Sequence, residues 1–247
     1  MSAILQDTIP YDPLAPRALP GVHPTTLDNW LHRDDAFDAQ IQRRKALLAE
    51  RRDEVLALHP DAEPAAAELL DLVQSITGPG AVPDIKCDQH MPVKNTKNRP
   101  LDALCSLAQE DFCILEKRGD EHVLTGAILC FPASWRLSEK FMRPLTDIHT
   151  PVQSYDANIG RRVQRLFDGV RVDRPMWRFN ALWYDDPDLF QPRSVKAPRP
   201  VRGHGQAPYL RSERQTVLRL PRTGAVVFSI HTYVLAANRL TKMENPA

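Results

Sequence analysis

The stretch 210-LRSERQTVLRLPRTGAVVFSIHTYV-234 decides the fold class. Two apolar-rich runs, Leu210–Leu220 and Ala225–Val234, flank Pro221-Arg222-Thr223-Gly224, so they read as two strands joined by a turn. In the first run Arg211, Glu213 and Gln215 share one face, and Ser212, Arg214 and Thr216 share the other. Charge on both faces of a strand that should flank a core is costly unless paired. Either this strand is an edge carrying solvated ion pairs, or its guanidinium and carboxylate line a pocket and bind a substrate or an anionic group of a cofactor.

Outward from this hairpin the same pattern recurs. Trp177, Phe179, Ala181 and Trp183 alternate with Arg178, Asn180, Leu182 and Tyr184, which predicts a third strand. Asp111–Lys117 and Val123–Phe131 flank Arg118-Gly119-Asp120-Glu121 and predict another hairpin. Residues 138–149 and 154–168 read as helices, the second with Ser154 as N-cap and Gly169 as stop. Nearer the N-terminus, helices are expected from Asp34 to Leu58 and from Pro64 to Thr77, the latter stopped by Gly78-Pro79-Gly80. Arg43, Arg44, Arg51 and Arg52 read as the solvated face of the first. The order predicts an α+β fold: an antiparallel sheet of about five strands with packed helices and a helical N-terminal segment.

The 247 residues carry 32 basic and 31 acidic side chains, a net charge of +1. That balance offers no electrostatic case for nucleic acid or a membrane surface as partner. No apolar run approaches the ~18 residues of a membrane helix. The N-terminus has no signal-peptide pattern. Cys87, Cys105, Cys113 and Cys130 show no CxxC spacing, which argues against a zinc or iron–sulfur site and fits a reducing, cytoplasmic setting. Prolines cluster at 10–24 and 192–208, which read as extended arms or loops.

The strong local enzyme signatures are absent: there is no GxGxxG, Walker loop, GxSxG or HExxH. In Phe131-Pro132-Ala133-Ser134-Trp135 a strand turns a Phe-Pro corner, with Trp135 against the core and Glu139-Lys140 following. In Pro144-Leu145-Thr146-Asp147-Ile148-His149-Thr150-Pro151-Val152, His149 stands at an apolar element boundary. A neutral imidazole there can ligate haem iron, or it is a hydrogen-bonded structural residue. Tyr155, Trp177, Trp183, Tyr184 and Tyr233 either pack a core or wall a pocket that holds an amine cation by cation–π contact.

These segments, with Ala66-Ala67-Glu68-Leu69-Leu70, Gln109-Glu110-Asp111-Phe112-Cys113 and Leu220-Pro221-Arg222-Thr223-Gly224-Ala225, resemble the family of haem-dependent oxidative N-demethylase α subunits from about Trp30 to Val234. The resemblance implies a PAS-like fold around one haem b. It implies oxygen-dependent removal of a methyl group from a small secondary amine such as dimethylamine, with release of formaldehyde. Electrons would come from a separate flavin and iron–sulfur reductase subunit. Residues 1–30 would form a Pro-rich arm, 31–240 a single haem-binding domain and 241–247 a tail.

On that resemblance His149 is the expected axial ligand of the haem iron, with His231 as runner-up. Arg214, Lys140 and Trp135 are expected to contact the cofactor. Tyr155, Glu213 and Arg211 are expected to take part in catalysis, and Trp177 and Tyr233 to wall the substrate pocket. Gln153 and Ala181 depart from the family pattern, where Pro and Trp respectively are expected, which leaves the substrate open. Two rival readings are a non-catalytic haem-binding sensor or interaction subunit, and a scaffold that has kept the fold without the haem.

Overall fold

The computed structural model describes residues 3–16, 21–78, 99–149, 157–197, 199–203 and 205–244. The hairpin that set the fold class is present as β6 (Tyr209–Arg219) and β7 (Val226–Ala236), paired without interruption from Tyr209↔Ala236 to Arg219↔Val226. β5 (Met176–Tyr184) pairs along the other side of β6, with Asn180 opposite Glu213. β3 (Asp111–Arg118) and β4 (Glu121–Ile128) form the second hairpin, and β3 docks on β7. Gly119 and Gly224 supply the left-handed backbone of the two turns, with φ of 64° and 73°, a region that costs other residues a Cβ clash.

All pairings between these strands are antiparallel, and the α+β expectation holds. Among the described residues the sheet has seven strands where about five were expected, in the order β1-β5-β6-β7-β3-β4-β2. The two additions are β1 (His23–Pro24) and β2 (Leu56–Leu58), at opposite edges. Segments this short fall below what alternation can register.

β2 also corrects the first expected helix. That helix runs only over Phe37–Glu50 (α1). Arg51 leaves helical geometry, and a single turn, α2 (Arg52–Val55), leads into β2. Leu56–Leu58 find partners in Ile128–Gly126, and these backbone bonds override the helical pattern. The expected helix over 138–149 is likewise two pieces, α5 (Leu137–Lys140) and α6 (Leu145–His149). Between them, Met142 N–H donates to the Leu124 carbonyl and Arg143 O accepts from Leu124 N–H, so β4 pulls the chain out of the helix.

α3 (Glu63–Thr77), α4 (Pro100–Leu107), α7 (Ala157–Gly169) and α8 (Ala237–Glu244) complete the helices of four residues or more. The expected stop of α3 holds at Gly78; Pro79 and Gly80 lie outside the described residues, as do Ser154 and Cys87. The sheet separates two apolar layers. Behind it, Leu47, Leu69, Leu70 and Leu104 of α1, α3 and α4 pack on Phe112, Ile114 and Val227. In front, Leu137, Leu145 and Phe167 of α5, α6 and α7 pack on Leu115, Leu124 and Val217. No helix among the described residues is long and apolar enough to cross a membrane.

Candidate functional site

The front layer does not close fully on the sheet. Between α5, α6, α7 and strands β3 to β7 lies a cavity of about 450 Å³, within the ~300–1,000 Å³ usual for ligand and cofactor sites. The alternation of β6 explains its floor. Arg211, Glu213, Gln215 and Val217 all point forward into it, and the register of β5 adds Arg178, Asn180 and Leu182.

Glu213 is the acidic centre of this floor. Asn180 Nδ2 and Gln215 Nε2 each donate to its Oε2 at 3.2 Å, and Arg211 Nη2 lies 3.4 Å from Oε1. Asn180 Oδ1 accepts from the Glu213 N–H at 3.3 Å, so the amide grips both backbone and carboxylate. Arg211 is fixed by the carbonyls of Leu189 and Phe131, at 3.0 and 2.6 Å, while its buried Nε has no partner among the described residues. Trp135 and Lys140 stand together on the opposite wall, with Nζ 4.6 Å from the centre of the indole. Burial pulls the Lys140 ammonium below its ordinary pKa.

The remaining wall is mostly apolar, from Leu115, Leu124, Leu145, Val163, Phe167 and Ile230, with Arg162 and Arg178 among the cations. This combination suits a flat apolar macrocycle carrying carboxylates: aliphatic and aromatic surface for its faces, guanidinium and ammonium groups for its acids. The wall also carries Cys113, a possible thiolate ligand. Burial, with the Asp111 charge adding to it, pushes its thiol up to about 12, so it stays protonated at neutral pH. The described lining contains no histidine, but it includes Ile148, the residue before His149. His149 ends α6; its side chain lies outside the described residues, as does the whole of Tyr155.

Of the sequence-expected residues, the cavity therefore unites Arg211, Glu213, Lys140, Trp135 and Trp177. Trp177 borders the cavity, but it pairs with Thr216 and its ring lies on the Arg214 face, stacked on Phe179 at 6.1 Å and 4.8 Å from the Arg214 guanidinium. Arg214, Tyr233 and His231 are on the back of the sheet. Arg214 donates to the carbonyls of Trp30 and Asn29, at 3.0 and 2.7 Å, and so anchors the N-terminal segment. The Tyr233 hydroxyl meets His32 Nδ1 at 2.6 Å. His231 Nδ1 bonds Glu110 at 2.9 Å and Nε2 bonds Asp34 at 3.0 Å, which leaves neither ring nitrogen for a metal.

Sequence reasoning passed over Asn180, Arg162 and Arg178. The alternation around Trp177 had placed Arg178 and Asn180 on one face of a strand, and only the pairing with β6 turns that face toward Glu213. A profile of the family described as haem-dependent oxidative N-demethylase, alpha subunit-like, matches residues 21–247.

Proposed function

The chain belongs to the haem-dependent oxidative N-demethylase alpha-subunit-like family, and from that premise we propose that it binds one haem b in the front cavity and demethylates a small secondary amine such as dimethylamine. The observation that carries this reading is the cavity itself: an apolar volume of about 450 Å³ with a carboxylate on its floor, cations on its walls and Ile148, next to His149, at its edge. When bound, the haem would supply the oxygen chemistry. His149 would hold its iron, and Arg211 would offer charge to its propionates.

Glu213 binds the protonated amine. Its two amide donors hold the carboxylate in place, and the indole of Trp135 offers cation–π surface across the cavity. Tyr155, next to this region in sequence, is a further candidate for the reacting end. Electrons would come from a separate flavin and iron–sulfur reductase subunit; the alpha-subunit-like description supports a partner subunit. We read residues 31–240 as one haem-binding domain of PAS-like type, with 1–30 as its arm and 241–247 as a tail. The order of the five long strands, second-first-fifth-fourth-third along the sheet, supports that reading.

Haem titration followed in the Soret region tests it. One equivalent should bind, the band should shift on reduction, and dimethylamine should perturb it. His149→Ala should weaken binding or change the spectrum. An unchanged spectrum in that variant would remove His149 as ligand, and a haem band indifferent to amines would favour a sensor.

A further inference from the structure

We propose that Lys140 is a one-carbon capture site, whose amine condenses reversibly with formaldehyde set free in the front cavity. The inference rests on the demethylation reading, because oxidative removal of an N-methyl group leaves its carbon as formaldehyde.

The geometry sets Lys140 apart from the other cations of the wall. Arg211 is fixed by two carbonyls and a carboxylate. Lys140 Nζ meets the Trp135 ring at 4.6 Å and makes no hydrogen bond or ion pair with a described residue. It lines both the main cavity and a smaller one of about 190 Å³, which is also bordered by Glu139, Arg143, Asp147, Ile148 and Val195. A small aldehyde leaving by that side passes the amine.

The charged and titratable groups around Nζ are Cys113, Glu139 and Glu213, with Arg143 and Asp147 along the smaller cavity and Arg162, Arg178 and Arg211 around the larger. Burial is the dominant influence and disfavours the ammonium, against weaker support from Cys113, Glu139 and Glu213. Lys140 therefore holds more free amine at neutral pH than an exposed lysine does.

The step needs no oxidant or reductant. The amine lone pair attacks the carbonyl carbon, the π electrons move to oxygen, and a proton passes from nitrogen to oxygen to give the carbinolamine. Loss of water then gives the imine, and hydrolysis returns amine and formaldehyde.

Brief exposure of the full-length protein to added formaldehyde with cyanoborohydride, followed by peptide mapping, tests this without any turnover. The reductant traps the imine as N-methyllysine. Lys140 should be methylated measurably faster than the exposed Lys45 and Lys196, since a lowered pKa raises the share of free amine. This should hold in both haem-free and haem-loaded protein, and Lys140→Arg should abolish that label while keeping the far-UV dichroism. Methylation no faster than at Lys45 and Lys196 overturns the proposal. Protection by haem also overturns it, because Lys140 is then a propionate partner. A protein that takes up no haem loses the demethylation reading, and the proposal with it, whatever its labelling pattern.

Discussion

His231 is a buried imidazole between two carboxylates, and its protonation ties the N-terminal segment to the back of the sheet. Burial alone would lower its pKa, but Glu110 and Asp34 override that and raise it to about 9. The neighbouring His32 is driven the other way, to about 4, by burial and then by the positive charges of Arg214 and His231. So the pair carries one charge at neutral pH. A folded-state pKa above the unfolded value means that the stabilisation is fully present below about pH 6.5 and is lost as pH rises through about 9. His231→Gln should cost about 3–5 kcal/mol near pH 6, the penalty for breaking a buried ion pair. Urea unfolding should show that difference shrinking toward about pH 10, and a pH-independent difference would mean that the imidazole acts through packing alone.

The same residue-scale view shows what the sequence hid. Arg44 reads as one of four arginines on a solvated helix face, yet it is fully buried, and its Nη1 meets Asp111 at 2.5 Å. Asp111 also accepts from the backbone N–H groups of Cys130 and Phe131, at 2.7 and 2.8 Å. Its partners lie 67, 19 and 20 residues away, so no local pattern announces the cluster. The Arg211–Glu213 pair was legible as charge on a strand that ought to be buried. The roles of Arg214, Tyr233 and His231 were not, because alternation gives the faces of a strand but does not say which face meets the cavity.

Among the elements, those that alternate over eight or more residues were legible. β3, β5, β6 and β7 fall where their pattern puts them, and β4 ends at Ile128, short of the expected Phe131, because the corner at Cys130–Phe131 bonds to Asp111 instead. β1, β2 and α4 were not legible: the first two are edge additions of two and three residues, and α4 is a nearly all-buried helix whose apolar run has no polar face to give a period. The turn between β6 and β7 gives an element-scale prediction. Gly224 sits at φ 73° with open space around its Cβ position, so Gly224→Ala adds backbone strain and no clash. It should cost about 1–2 kcal/mol and lower the melting temperature by roughly 2–8 °C. Gly169→Ala, also in open space but at an ordinary φ inside α7, is the control and should be neutral or slightly stabilising. Equal losses in both variants would remove the left-handed turn as the cause.

At the scale of the whole molecule, one sheet serves two unlike purposes. Its back is consumed by structure: Arg214, His231 and Tyr233 bind the N-terminal segment. Its front keeps an apolar layer that fails to close over Glu213 and Arg211. A sequence optimised only for stability would fill that volume, since empty apolar space forfeits dispersion contacts. Val217, buried on the cavity floor beside Gln215, tests whether the space is reserved for a macrocycle. Val217→Trp puts an indole into the cavity from a rigid central strand. Because the added atoms enter open volume, the overpacking cost should be at or below the low end of the usual ~1–3 kcal/mol. Far-UV dichroism and cooperative unfolding should therefore persist while haem affinity, read from the Soret titration, falls at least about tenfold, or 1.4 kcal/mol. Retained affinity would put the haem elsewhere on the chain. Lost folding would instead show that the front layer is already close-packed and that this volume is not available to a cofactor.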